Sequence, residues 1–150
     1  MSKPNNPKVF PESALLVGAA ESIWSGSDAK INISIDVNDK LIAVIAEYLP
    51  GKLESVFITD SDIRHIKRKH GNKEEARGQL NIEPSDFAHI PMVLHEFDTC
   101  ELSDIDKLGN KKFVLTKTLD STIYVVTIQR GKRKLEIKTM WKTKRSGASC

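Results

Sequence analysis

The last third of the chain constrains the fold most. Three short runs alternate apolar and polar residues: Lys112–Thr118, Ile123–Gln129 and Lys134–Thr143. Alternation over such lengths is the pattern of half-buried strands. Asp120–Ser121 separates the first two runs, and Arg130–Lys132, centred on Gly131, separates the last two. Connections this short join antiparallel neighbours. The reading is a three-stranded antiparallel meander. On its last strand, period two puts Leu135, Ile137, Thr139, Trp141 and Thr143 on one face and Glu136, Lys138 and Met140 on the other.

The residues ahead of the meander read mainly as helices. Over 12–24, Leu15, Leu16, Ala19 and Ile23 share a helical face. Lys30–Val37 alternates as a strand, and Asn38–Asp39 makes a turn. Leu41–Leu49 fits either a helix or a strand, and Leu53–Thr59 a short strand. Asp60 or Ser61 then caps a helix that runs to about His70 and stops at Gly71–Asn72. Residues 72–83 read as a polar loop. Pro84–Ser85 and Ile90–Pro91 open two short helical segments, and 98–111 reads as an acidic loop. Helices first and sheet last make the class α+β, with N-terminal helices packed on a C-terminal antiparallel meander.

One domain over 12–145 suits a chain of 150 residues, with 1–11 as a Pro- and Asn-rich linker and 146–150 as a disordered tail. No apolar run approaches ~18 residues, so no membrane partner is expected. The start, MSKPNNPK, has no apolar signal core; it suits a module from the C-terminal end of a longer protein. Cys100 and Cys150 make neither a metal nor a redox spacing.

Charge is distributed unevenly. Residues 1–106 hold 11 Lys/Arg against 18 Asp/Glu, whereas 107–150 hold 12 against 2. So steep an asymmetry predicts a basic surface for an acidic partner, nucleic acid first. Arg130, Lys132, Arg133 and Lys134 form a cationic hairpin tip, and Lys142 extends it along the last strand. Thr139 offers a hydroxyl to a phosphate oxygen. Trp141 either caps the core or stacks a base, which is worth ~1–3 kcal/mol.

The segment DSDIRHIKRKHG, Asp60–Gly71, carries two histidines among Arg64, Lys67, Arg68 and Lys69. Cationic neighbours attract phosphate and hold a histidine pKa down. A helix C-terminus, where His70 lies, favours the charged form instead. The two histidines are therefore candidates for general base and general acid; the rival readings are a core or C-cap residue for His70 and an exposed surface histidine for His65. His70 shares a stripe with Ile63 and Ile66, while His65 points about 140° away. That offset does not suit a zinc pair, which prefers i and i+4. No metal and no other cofactor is expected.

Three features in order resemble the barnase–EndoU–colicin–RelE superfamily of ribonucleases, in its phage-associated and polymorphic-toxin branch. The first is a strand followed by Thr59–Asp60 and a helix with His65-Ile66-x-x-x-His70. The second is the Ile90–Pro91 helix start after Asp86. The third is the final hairpin ending Lys138-Thr139-Met140-Trp141. They span residues 53–143. The resemblance implies metal-independent RNA cleavage, often of tRNA, at a site on the sheet face. By analogy His65, His70 and Thr139 carry the site. No Glu stands in the place where barnase-like members hold one.

The expected reaction is transphosphorylation. One histidine takes the proton of a ribose 2′-OH, and the other histidine, or a basic group, protonates the leaving 5′-oxygen. Lys138 or Arg130, with Thr139, stabilises the developing charge. Arg64, Arg68, Lys69, Lys132, Arg133, Lys134, Trp141 and Lys142 are expected to bind RNA. The protein is expected to be a monomer acting in the cytoplasm of a producing or target bacterium, or to be carried with a virion. As a toxin it would have an acidic immunity protein as partner. The rival readings are a non-catalytic nucleic-acid-binding module and a structural phage or interaction protein whose basic face docks an acidic protein.

Overall fold

The computed structural model describes residues 10–74 and 78–144. The proposed tail 146–150, with Cys150, and most of the proposed linker lie outside them. Helix α1, Pro11–Trp24, opens with proline at its first turn, where a missing N–H costs nothing. Phe10 is buried at its start, edge-on to His95 at 5.1 Å. Phe10, read as linker from the sequence, is thus packed against the folded unit. Leu16, Ala20 and Ile23 form the buried stripe of α1.

Strand β1, Asn32–Ile35, precedes α2, Asp39–Ile45. Asn38, read as a turn residue, caps α2 by accepting from Leu41 N at 3.1 Å. The ambiguous run from Leu41 is therefore helical. Strand β2, Ser55–Thr59, leads directly into α3, Asp60–His70. The cap of α3 is Thr59 rather than Asp60 or Ser61. Its Oγ1 accepts from Asp62 N at 3.3 Å, and Asp62 Oδ2 accepts from Thr59 N at 3.0 Å. This reciprocal box satisfies two otherwise unpaired donors. Asp60 instead accepts from Ile31 N at 3.0 Å and pairs with Arg64.

The predicted loop 72–83 contains a short strand β3, Gln79–Leu80, and the fully buried Ile82. A 3-10 helix, Pro84–His89, and α4, Ile90–Glu96, follow as expected from their prolines. The predicted loop 98–111 is corrected: it contains strand β4, Thr99–Ile105. β4 is an edge strand whose Glu101 and Asp104 are exposed, which hides the alternation and also blunts edge-to-edge pairing. β5 (Lys111–Thr118), β6 (Ser121–Arg130) and β7 (Lys134–Lys144) then make the expected meander.

The sheet is larger than a meander. Among the described residues it has seven strands, in the order β1-β2-β7-β6-β5-β4 with β3 also on β7. β2 runs parallel to β7, pairing Val56 with Leu135. β3 pairs further along the same edge, Leu80 with Lys142. One face is closed by the helices: Ile63 and Ile66 of α3 pack in one core with Phe113, Leu115, Val125 and Leu135 of the sheet, all fully buried. The core therefore lies between the helices and one sheet face, and the other face is free to build a site. No helix among the described residues is long and apolar enough to cross a membrane.

A β-bulge corrects the expected face assignment of β7. Thr127 pairs with Ile137, but the next partner of β6, Val126, pairs with Thr139. Lys138 is the extra residue, so the alternation slips by one. Leu135 and Ile137 face the core, and past the bulge Met140 does so, fully buried. Thr139 and Trp141 therefore sit on the open face with Glu136, not with Leu135 and Ile137.

Candidate active site

The open face carries rows of residues fixed by strand register. Lys112, Ile128 and Glu136 stand side by side across β5, β6 and β7; Val114, Val126 and Thr139 form the next row; Thr116, Tyr124 and Trp141 the third. α3 packs Ile63 and Ile66 into the core and turns Ser61, Asp62, His65 and Arg68 toward the first two rows. Between helix and sheet lies a cleft of about 440 Å³. Ser61, Asp62, His65 and Arg68 line it from α3; Lys112, Val126, Ile128, Lys138 and Thr139 line it from the sheet.

Glu136 is the residue that sequence reasoning missed. It is 9% exposed, beside Ile128, and Arg130 Nε donates to its Oε1 at 2.8 Å. Burial holds its carboxyl above the usual carboxylate range, and a hydrogen bond with the Asp62 carboxyl adds to this; Arg130 and Lys138 oppose it. The ammonium of Lys138 lies 3.2 Å from Asp62 Oδ1 and 3.7 Å from Glu136 Oε2. Asp62 is 2% exposed, and its Oδ2 is taken up by the α3 cap. A signal for Glu136 was present: it is one of two acids among residues 107–150.

His65 is half-buried on the α3 wall of the cleft. Burial, followed by repulsion from Arg68, Lys69, His70 and Lys138, holds its pKa below the ordinary imidazole value. An imidazole pushed down thus lines the cleft from α3, and a carboxyl pushed up lies behind Lys138 and Asp62 at its border; paired opposite shifts are expected of an acid–base couple. Thr139 Oγ1, at the bulge, has no hydrogen-bond partner among the described residues.

The remaining predicted residues sort by position. His65, Lys138, Thr139 and Arg68 meet in the cleft, and Arg130 joins them through Glu136. His70 does not: it is 9% exposed, and its Nδ1 donates to the fully buried Glu74 at 2.7 Å. Trp141 lies between His70, at 5.9 Å, and Tyr124, stacked at 5.0 Å. Arg64 is held by Asp60 and donates to the carbonyls of Ser27 and Ala29. Lys142 points to the helix-covered side, where it pairs with Asp86 at 3.0 Å. Lys69 lies exposed near the end of α3. Lys132, Arg133 and Lys134 are exposed at the β6–β7 turn, and Arg133 faces Glu54 at 3.4 Å. Among the described residues no group of three His, Cys, Asp or Glu is placed to hold a metal ion.

A family model described as phage-Barnase-EndoU-ColicinE5/D-RelE like nuclease3 matches residues 35–148. The match reaches further back than the motifs spanning 53–143 and takes in α2. Comparison with curated proteins and with solved structures returns no match.

Proposed function

The chain belongs to the phage-Barnase-EndoU-ColicinE5/D-RelE-like nuclease family, and on that premise we propose that its cleft cleaves RNA by transphosphorylation with Glu136 as general base and His65 as general acid. The observation that carries this reading is geometric: His65, Asp62, Lys138 and Thr139 line one cleft, and the Glu136 carboxyl sits at its border, 3.7 Å from Lys138 and bonded to Arg130, with the opposed shifts of Glu136 and His65 in support. Glu136 takes the proton of a ribose 2′-OH. The 2′-oxygen forms a bond to phosphorus, and the bond from phosphorus to the 5′-oxygen breaks. His65 gives its proton to that leaving oxygen.

A carboxyl raised by burial is a stronger base than a free one, and the Arg130 and Lys138 charges favour its ionised form. His65 is poorly protonated beside its cations, but a phosphate seated against it supplies the missing counter-charge. Lys138 and Arg68, with the Thr139 hydroxyl, meet the non-bridging oxygens as negative charge builds. Asp62 is a positioning residue that holds Lys138 and the Glu136 carboxyl. In this reading the catalytic role expected of His70 passes to Glu136, and His70 supports Trp141 from behind. Dependence on the 2′-OH confines cutting to RNA.

The test is incubation of the purified protein with tRNA and ribosomal RNA in EDTA. Fragments ending in 2′,3′-cyclic phosphate are expected, and a 2′-deoxy substitution at the cut position should block that cut. Equal cutting of DNA, or loss of cutting in EDTA, overturns the mechanism. Intact RNA that nevertheless binds would favour the non-catalytic binding module.

A further inference from the structure

A second, larger concavity of about 770 Å³ lies beside the other flank of α3. The end of α1 at Trp24 and the turn through Asp28 form one wall; Arg64, Lys67 and Arg68 form the other, down to Asn72. Arg68 lines both this groove and the catalytic cleft. The helix explains why. Ser61, His65 and Arg68 follow one stripe, while Arg64, Lys67, Arg68 and Gly71 follow the adjacent one. Arg68 stands on the border.

The groove is built and charged. Arg64 is committed to its frame, bonded to Asp60 and to the Ser27 and Ala29 carbonyls. Lys67 Nζ lies 3.5 Å from the Trp24 carbonyl and 5.9 Å from the centre of the Trp24 ring. Among the described residues neither Lys67 nor Arg68 makes an ion pair, and Asp28 is the one carboxylate in the lining. Trp24 itself is held edge-on by Phe87 at 5.8 Å. Two uncompensated cations and a fixed aromatic are the equipment for a nucleic-acid strand: cations meet phosphates, and a ring meets a base.

We propose that this groove is an exosite for the same RNA beyond the cut, with the sugar–phosphate chain crossing α3 over Arg68. The proposal rests on the ribonuclease reading of the cleft and adds the substrate class: an RNA long enough to reach across the helix. The 11 residues of α3 rise about 16 Å, so contact along the helix spans several nucleotides. Such contacts are made equally before and during reaction. They should lower KM for long substrates and leave kcat alone.

The test is Lys67→Glu in the full chain, assayed on a tRNA transcript and on the dinucleotide UpA. KM for the tRNA should rise about tenfold while UpA cleavage stays unchanged. The milder Lys67→Gln should flatten the salt dependence of tRNA binding by about one charge. Binding is measured separately by filter retention in a His65→Ala background, where cutting does not interfere. Unchanged tRNA affinity in that arm, or an equal loss on UpA, overturns the exosite. An acidic protein as the true occupant would appear as that unchanged affinity. If the unaltered protein cuts neither RNA, the cleft reading fails by itself, and the binding arm still decides the groove.

Discussion

His65 and His70 stand on the same helix, yet His65 lines an open cleft among cations whereas His70 is sealed between Glu74 and Trp141. His65 has no carboxylate partner among the described residues, so its protonation is set by desolvation and neighbouring positive charge. A phosphate arriving in the cleft changes both. His70 has its Nδ1 on a buried carboxylate at 2.7 Å and its ring 5.9 Å from an indole. Identical residue types on one helix thus differ in what can exchange protons with them. The largest expected effect follows from this difference. His65→Ala and Glu136→Gln should each lower kcat/KM by about 10²–10⁴, while circular dichroism and melting stay close to those of the unaltered protein. Combined, they should cost little more than either alone, since both serve one proton relay. Independent, multiplying losses would break the proposed couple.

His70 sharpens the same comparison through stability. His70→Ala leaves Glu74, which is fully buried, without its imidazole partner. Breaking a buried pair from one side costs about 3 kcal/mol, and Trp141 loses a ring contact as well. Denaturant titration should show this loss directly. Below the melting transition the variant should still cleave UpA at more than about a tenth of the normal rate, well short of the loss set for a direct acid–base group. A folded His70→Ala protein with no activity would return His70 to the chemistry and remove the distinction between the two ends of α3.

The parts of the fold readable from sequence were those fixed by local pattern. Alternation at Ile123, Val125, Leu135 and Ile137 located the meander, and prolines at 84 and 91 located the short helices. β4 escaped because Glu101 and Asp104 interrupt its apolar period, as befits an exposed edge. The parallel β2–β7 pairing joins residues about eighty positions apart, and nothing local encodes it. The bulge at Lys138 carries no glycine to announce it, so Thr139 and Trp141 fell on the wrong face. Glu136 was legible as a residue but not as a buried one, because its burial depends on Asp62 of α3 and on Arg130 and Lys138 meeting its carboxyl. Arg64 differs: its partner Asp60 lies one helical turn away, a pairing visible in the sequence. Lys142 could not be resolved that way, since Asp86 comes from a distant segment.

The smallest effect is a shift in the position of the pH profile, read apart from the drop in its height that loss of the Lys138 contact to phosphate brings, and it concerns two lysines of β7 one bulge apart. Lys138 reaches Asp62 and Glu136 in the cleft, and Lys142 reaches Asp86 on the covered side. With Glu136 as base and His65 as acid, the rate rises as Glu136 loses its proton and falls as His65 loses its own. The first group is held above its ordinary value and the second below, which narrows the optimum and sets it on the acid side of neutrality. Removing the Lys138 charge withdraws support from the Glu136 carboxylate, so that pKa rises. It also withdraws repulsion from the His65 imidazolium, so that pKa rises too. Lys138→Gln should therefore move both limbs of the kcat/KM profile to higher pH, and added salt should shrink the displacement because Lys138 is partly exposed. Lys142→Gln should leave both limbs in place and register only as a modest loss of thermal stability. Fixed limbs in Lys138→Gln, or shifted limbs in Lys142→Gln, would mean that the bulge does not divide catalytic charge from structural charge along this strand.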